Sequence, residues 1–198
     1  MLLYDSRVSG NCYKVRLLLA HLGRAYERRE VDVVDRSNRA ELLGELNPGL
    51  RIPTLLFDDG RALAESNAII FHLAEGTPYL PEDPFERAQV LQWQFFEQYS
   101  HEPYIAVLRF WNHVARVEPS PHELEAKRVG GEAALAALER HLETRPFLVG
   151  ELYTVADIAL YAYTHVADEA GFELERFPAV AEWLARVREQ PRHVPIDA

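Results

Sequence analysis

The chain has 198 residues, 48% apolar, 26% charged and 11% aromatic, and that apolar fraction over this length excludes a largely disordered protein. A single cysteine, Cys12, excludes an intrachain disulfide scaffold and a multi-cysteine zinc site, and it points to a reducing, cytoplasmic setting. With 21 basic and 31 acidic residues the formal charge is −10, which repels phosphate backbones and anionic lipid, so neither nucleic acid nor a membrane is an expected partner.

The opening MLLYDSR has neither the basic segment nor the long apolar core of a secretion signal. No apolar run approaches the ~20 residues that a membrane helix requires. Charge is spread unevenly: residues 1–75 hold 10 basic and 11 acidic side chains, and residues 76–198 hold 11 and 20. The first part is therefore the one able to receive a small anion.

In chain order, MLLYD reads as a short buried strand, followed by a helix with Val15, Leu18, Leu19 and Leu22 on one face and Gly23 as its stop. A second strand is predicted over Tyr26 to Val33, and a short helix from Arg39 to Leu46 ends at Asn47-Pro48-Gly49. IPTLLF, the turn residues Asp58-Asp59-Gly60 and RALA form a predicted hairpin, and a further helix runs from Ser66 to Ala74. The order βαβ then αββα predicts an α/β thioredoxin-like N-terminal domain over 1–75. Three prolines within Gly76–Pro84 mark a linker, 76–86, and an all-α C-terminal domain is predicted over 87–198. Its first helix, from about Phe85 to Val117, is expected to kink at Pro103, which lacks an amide donor. Later helices are marked by Leu135, Leu138 and Leu142, by Val155, Ile158 and Ala162, and by Phe177, Val180, Leu184 and Val187.

Several familiar chemistries have no support. There is no GxGxxG, and the glycines at 44 and 49 lack the following Lys and Ser/Thr of a phosphate loop. No HExxH or GxSxG occurs, so neither a metal site nor a serine-triad hydrolase is expected.

Three short segments carry chemistry instead. The first is Ser9-Gly10-Asn11-Cys12 at the start of helix one, where free amides and the helix dipole favour a bound anion and a hydroxyl stabilises a thiolate. The second is Arg51-Ile52-Pro53-Thr54, where a proline ahead of a core strand, if its bond is cis, turns the Ile52 backbone outward to pair with an extended peptide. The third is Glu65-Ser66-Asn67 at a helix start, able to hold an ammonium and a carboxylate on one ligand. Together they describe a site for an extended thiol peptide with an amino-acid head.

The sequence here resembles the glutathione S-transferase family over nearly its whole length, through SGNCYKVRLLLAHLG, NPGLRIPTL, ESNAIIFHLAE, FLVGELYTVADIAL and PAVAEWLARV in that order. The resemblance implies glutathione as co-substrate, a small hydrophobic electrophile as partner, and a homodimer. It implies Ser9 as the catalytic residue, matching the serine of theta-like and zeta-like classes, with Cys12 as the rival because beta-class enzymes use a cysteine in this loop. Glutathione binding then falls to Asn11, Arg51, Ile52, Pro53, Glu65 and Ser66, and the electrophile pocket to Arg7, Tyr104, Leu108 and Trp111. Gly10 and Asn11 stand where zeta-like classes carry a further serine and cysteine, which argues against isomerase activity.

Two other activities share these residues: a glutathione-dependent disulfide reductase or dehalogenase using Cys12 or bound glutathione, and a non-catalytic binding protein of the same fold. Thr154-Val155-Ala156-Asp157 reads as a capping box with a folding role.

Overall fold

The computed structural model describes residues 1–198, which divide into two compact units, Met1–Glu75 with Pro191–Ala198 and Gly76–Gln190. The boundaries read from the sequence shift in two places. Residues 76–86 belong to the second unit, and its first helix already starts at Pro84, where Asp83 caps it by accepting the amides of Phe85 and Glu86. Residues 191–198 return to the first unit, because side chains of its first helix bind their main-chain carbonyls: Tyr13 donates to Val194 at 2.7 Å, and Arg16 to Ile196. The His193 ring adds a contact to the Tyr13 hydroxyl at 3.3 Å, but bonds to carbonyls leave no pattern in the side chains of the tail.

The first unit contains β1 (Leu2–Asp5), α1 (Gly10–Leu22), β2 (Glu27–Glu30), α2 (Arg39–Leu43), β3 (Thr54–Leu56), β4 (Ala62–Ala64) and α3 (Ser66–Leu73). The sheet order is β2-β1-β3-β4, with β1 parallel to β2 and antiparallel to β3, and β3 antiparallel to β4. This is the thioredoxin-like βαβ–αββα arrangement expected. Alternation along β1 sends Tyr4 to one face, where it packs with Val31 and Leu43 near α2, and Asp5 to the other, where it meets Arg16 of α1 at 2.5 Å.

Two elements are shorter than their sequence patterns. β2 is an edge strand of Glu-Arg-Arg-Glu, whose charge suits a solvent-facing edge, and the chain departs after Val31 donates to Asp5. α2 stops at Leu43, whose carbonyl accepts the amides of both Leu46 and Asn47 at 2.8 Å. The stop at Gly23 is as expected. Its φ of 62° is left-handed, and the amides of Gly23 and Arg24 close the helix on Ala20 and Leu19.

The second unit is all-helical: α4 (Pro84–Phe96), α5 (Glu102–Arg109), α6 (Pro121–Leu142), α7 (Val155–Thr164) and α8 (Pro178–Arg188). The predicted long helix is interrupted twice by wider π-helical turns, at Glu97–His101 and Phe110–Val114. The first takes the place of a simple kink: the missing amide of Pro103 falls just beyond it, and His101 sits at φ −120°. The capping box at Thr154 and Asp157 is formed, with Thr154 donating its amide to Asp157 at 2.9 Å.

Candidate functional site

The sheet topology gathers the three chemistry-bearing segments. β1 ends, β3 begins and β4 ends at the same edge, since β3 runs against both neighbours and Thr54 pairs with Tyr4 on one side and Ala64 on the other. Ser9 follows the end of β1, Ile52 and Pro53 precede β3, and Glu65 and Ser66 follow β4.

Ser9 is the N-cap of α1: its φ and ψ are extended, and Oγ accepts the Cys12 amide at 3.3 Å. The hydroxyl hydrogen is not consumed by that bond; it reaches the neighbouring Cys12 thiol and can turn to another acceptor. The first turn of α1 holds no acidic residue, so the positive end of its dipole is not neutralised locally.

Cys12 differs from Ser9 in accessibility. Its side chain is 0% exposed, and burial pushes the thiol up to about 12, with Asp5 adding to the rise and a hydrogen bond from Ser9 opposing it. This is the environment of an inert core cysteine.

At the other helix start, Ser66 is buried and donates from Oγ to Asn11 Oδ1 at 3.3 Å, tying the N-termini of α1 and α3 together. Lys14, also buried, donates from Nζ to Ser66 Oγ and to Asn67 Oδ1, each at 3.3 Å. Glu65 is exposed at the N-cap of α3, with φ 66° and ψ 112°. A non-glycine residue held at positive φ costs of order 1–3 kcal/mol, and such geometry clusters at ligand-binding sites.

The Ile52–Pro53 bond is cis. Ile52 contributes no rung to the sheet, which begins at Thr54, and the turn before it is held by Asn47 and Thr54 side chains, both donating to the Arg51 carbonyl at 2.9 Å. The Arg51 side chain itself is exposed.

The four residues expected to line an electrophile pocket fare differently. Leu108 is 1% exposed and belongs to the core of the second unit, which corrects that expectation: the face carrying it is covered by other helices rather than laid open by the interruption near Pro103. Tyr104 is half-buried with its ring beside Gly130, where an added Cβ would lie 2.2 Å from Cδ1, and under Lys127. Trp111 is half-buried in the second π-helical turn. Arg7 is exposed, and its backbone is used instead, the amide donating to Glu30 and the carbonyl accepting from Arg16.

Lys14 is the residue at this corner that pattern reading did not single out. A lysine in a helix reads as a solvated face, but α1 is buried nearly all round, from Cys12 through Leu19. The signal available was the apolar run on both sides of Lys14, which leaves no solvent-facing stripe for it. No group of three or more His, Cys, Asp or Glu side chains is placed to hold a metal ion.

Residues 3–81 match the family described as "Glutathione S-transferase, N-terminal domain", and residues 121–186 match "Glutathione S-transferase, C-terminal domain". A solved glutathione S-transferase from Pseudomonas fluorescens is 49% identical with a TM-score of 0.95, covering 98% of each chain. The disulfide-bond oxidoreductase YfcG of Escherichia coli is 31% identical over 91% of this chain and 87% of its own. Ure2p, solved in complex with glutathione, is 25% identical with a TM-score of 0.87, covering 96% of this chain and 95% of that one. With both domain matches in place on a site of this geometry, the chain belongs to the glutathione S-transferase family.

Proposed function

We propose that this protein is a cytoplasmic glutathione transferase in which Ser9 activates the glutathione thiol for attack on a small hydrophobic electrophile. The observation that carries the reading is the place of Ser9: it caps α1, its oxygen accepting the Cys12 amide at 3.3 Å, and its hydroxyl can turn its hydrogen from the neighbouring Cys12 thiol to a sulfur bound at the start of α1. Ser9 and the helix amides favour the thiolate, whose proton passes to solvent. A carbon–sulfur bond then forms as the carbon–halogen bond of an aryl halide breaks, and the halide leaves with the bonding pair. The chain supplies orientation and charge stabilisation and forms no covalent intermediate.

The head of the peptide is assigned to Glu65 and Ser66, the exposed carboxylate taking the ammonium and the hydroxyl the α-carboxylate. Ile52 offers its backbone to the cysteinyl residue, Asn11 stands beside the head, and the exposed Arg51 is assigned to the glycine carboxylate. The test is kinetic: Ser9→Ala should lower turnover of a model aryl halide while glutathione still binds.

The relationship to YfcG supports a second reading, reduction of disulfides by bound glutathione. The burial of Cys12 speaks against that cysteine as its thiol. Assay of a disulfide against a halide, each with Cys12→Ala, separates the two activities. The likeness to Ure2p keeps a binding protein without turnover as the third reading, and retention on immobilised glutathione without reaction of any electrophile would support it.

We also assign a homodimer. Leu91, Phe95 and Tyr99 are exposed at four-residue spacing along α4 and into the turn that follows, with Tyr99 84% exposed. That is an apolar stripe suited to a second copy.

A further inference from the structure

Lys14 lies in α1 with its side chain 0% exposed, and taking an ammonium out of water costs several kcal/mol unless its hydrogens find good acceptors. Two acceptors are Ser66 Oγ and Asn67 Oδ1, each at 3.3 Å, which are the first two residues of α3. Ser66 therefore accepts from a cation while its own hydrogen reaches Asn11 Oδ1, also at 3.3 Å. A hydroxyl polarised in this way is a stronger donor, and its one hydrogen has a fixed direction.

We propose that Lys14 is a positioning residue that makes this corner selective for a carboxylate, acting through Ser66. The inference rests on the glutathione reading and concerns the α-carboxylate of the γ-glutamyl head. Lys14 holds the Ser66 oxygen from behind, so that the hydrogen now given to Asn11 is available to the incoming carboxylate. Its buried charge adds to the positive ends of α1 and α3, which meet at the same point. A neutral amide in place of that carboxylate gains neither the charge attraction nor the stronger hydrogen bond. Because Lys14 is buried, the preference is weakly screened by salt.

The test is calorimetric titration with glutathione and with its analogue carrying a carboxamide at the γ-glutamyl α-carboxylate, on the wild type and on Lys14→Met. The wild type should prefer glutathione by about tenfold or more, the size expected of one charge-assisted hydrogen bond. Lys14→Met should bind glutathione about tenfold more weakly and bind the carboxamide nearly as before, raising KM for glutathione while leaving kcat at saturation unchanged. A Lys14→Met protein that folds and keeps the wild-type preference overturns the inference and leaves the glutathione reading intact. If Lys14→Met does not fold, the wild-type preference measured up to about 0.5 M salt decides: persistence supports a buried origin, and collapse overturns it. Failure of the wild type to bind glutathione at all is a different result, and it removes the glutathione reading together with this inference.

Discussion

Ser9 Oγ accepts the amide hydrogen of Cys12 at 3.3 Å, so one side chain caps α1 and has a hydroxyl hydrogen that can turn to a bound thiolate. Ser9→Ala removes both services. Loss of the cap should cost about 0.5–2 kcal/mol of stability. Loss of the hydrogen bond to a thiolate, worth about 1.5–3 kcal/mol, should lower kcat by roughly 10- to 100-fold. Ser9→Thr keeps a hydroxyl and should restore most of each, as measured by thermal unfolding and aryl-halide turnover.

Cys12 should behave as a core residue. Its thiol is lifted from an ordinary 9.0 to about 12, chiefly by burial, so iodoacetamide should label the unfolded chain and spare the folded one at pH 8. The raised folded value means that the stabilisation from keeping the thiol neutral is fully present below pH 9.0 and is lost as pH rises toward 12. Cys12→Ala should remove this part of the alkaline stability profile and leave turnover unchanged. Rapid labelling of the native protein would contradict this.

Asp157 does more than close a capping box. Its two oxygens accept from the amides of Thr154 and Leu148, the Thr154 hydroxyl and the Trp183 indole, at 2.9, 3.0, 3.2 and 3.0 Å. A cap alone predicts a loss of about 0.5–2 kcal/mol for Asp157→Ala. Stranding several buried donors raises the expected loss to about 3 kcal/mol or more. Chemical denaturation should show this, with the glutathione affinity of the folded fraction unchanged.

The tail from Pro191 onward should stabilise α1. Tyr13 donates to Val194, Arg16 to Ile196, and His21 Nδ1 lies 2.8 Å from the Pro191 carbonyl, while Arg192 Nη1 sits 2.3 Å from where a Cβ on Gly23 would project. Ending the chain after Gln190 leaves these side chains without their carbonyl partners. The melting temperature should fall by several degrees, and single side-chain changes at 194–196 should matter far less.

The assigned dimer has its own test. Phe95→Glu with Tyr99→Glu places charge in the exposed stripe that runs along α4 into the next turn and should convert a dimer to a monomer in sedimentation equilibrium. A dimer that survives both changes would place the interface elsewhere.

Much of the first unit was legible because its signals are local: Gly23 ends a helix at left-handed φ, Pro53 stands ahead of β3, and Thr154 and Asp157 sit three apart at a helix start. What escaped pattern reading is non-local or cancels in the pattern. The π-helical turns at 97–101 and 110–114 keep a nearly helical periodicity, so only the proline between them was visible. Lys14 and Arg16 are charged residues on a helix with no solvent face, and their partners Ser66 and Asp5 come from other elements. Leu108 shared a helical face with Tyr104 and Trp111, and periodicity alone does not distinguish a pocket wall from a core.

The most direct measurement is the ionisation of the glutathione thiol in the saturated complex, followed by ultraviolet thiolate absorbance as pH is raised. With Ser9 intact, the thiol should ionise at least about one unit below its value in free solution, about 1.4 kcal/mol in favour of the thiolate, and Ser9→Ala should return it toward the free value. An ionisation in the wild-type complex equal to that of free glutathione would contradict the account.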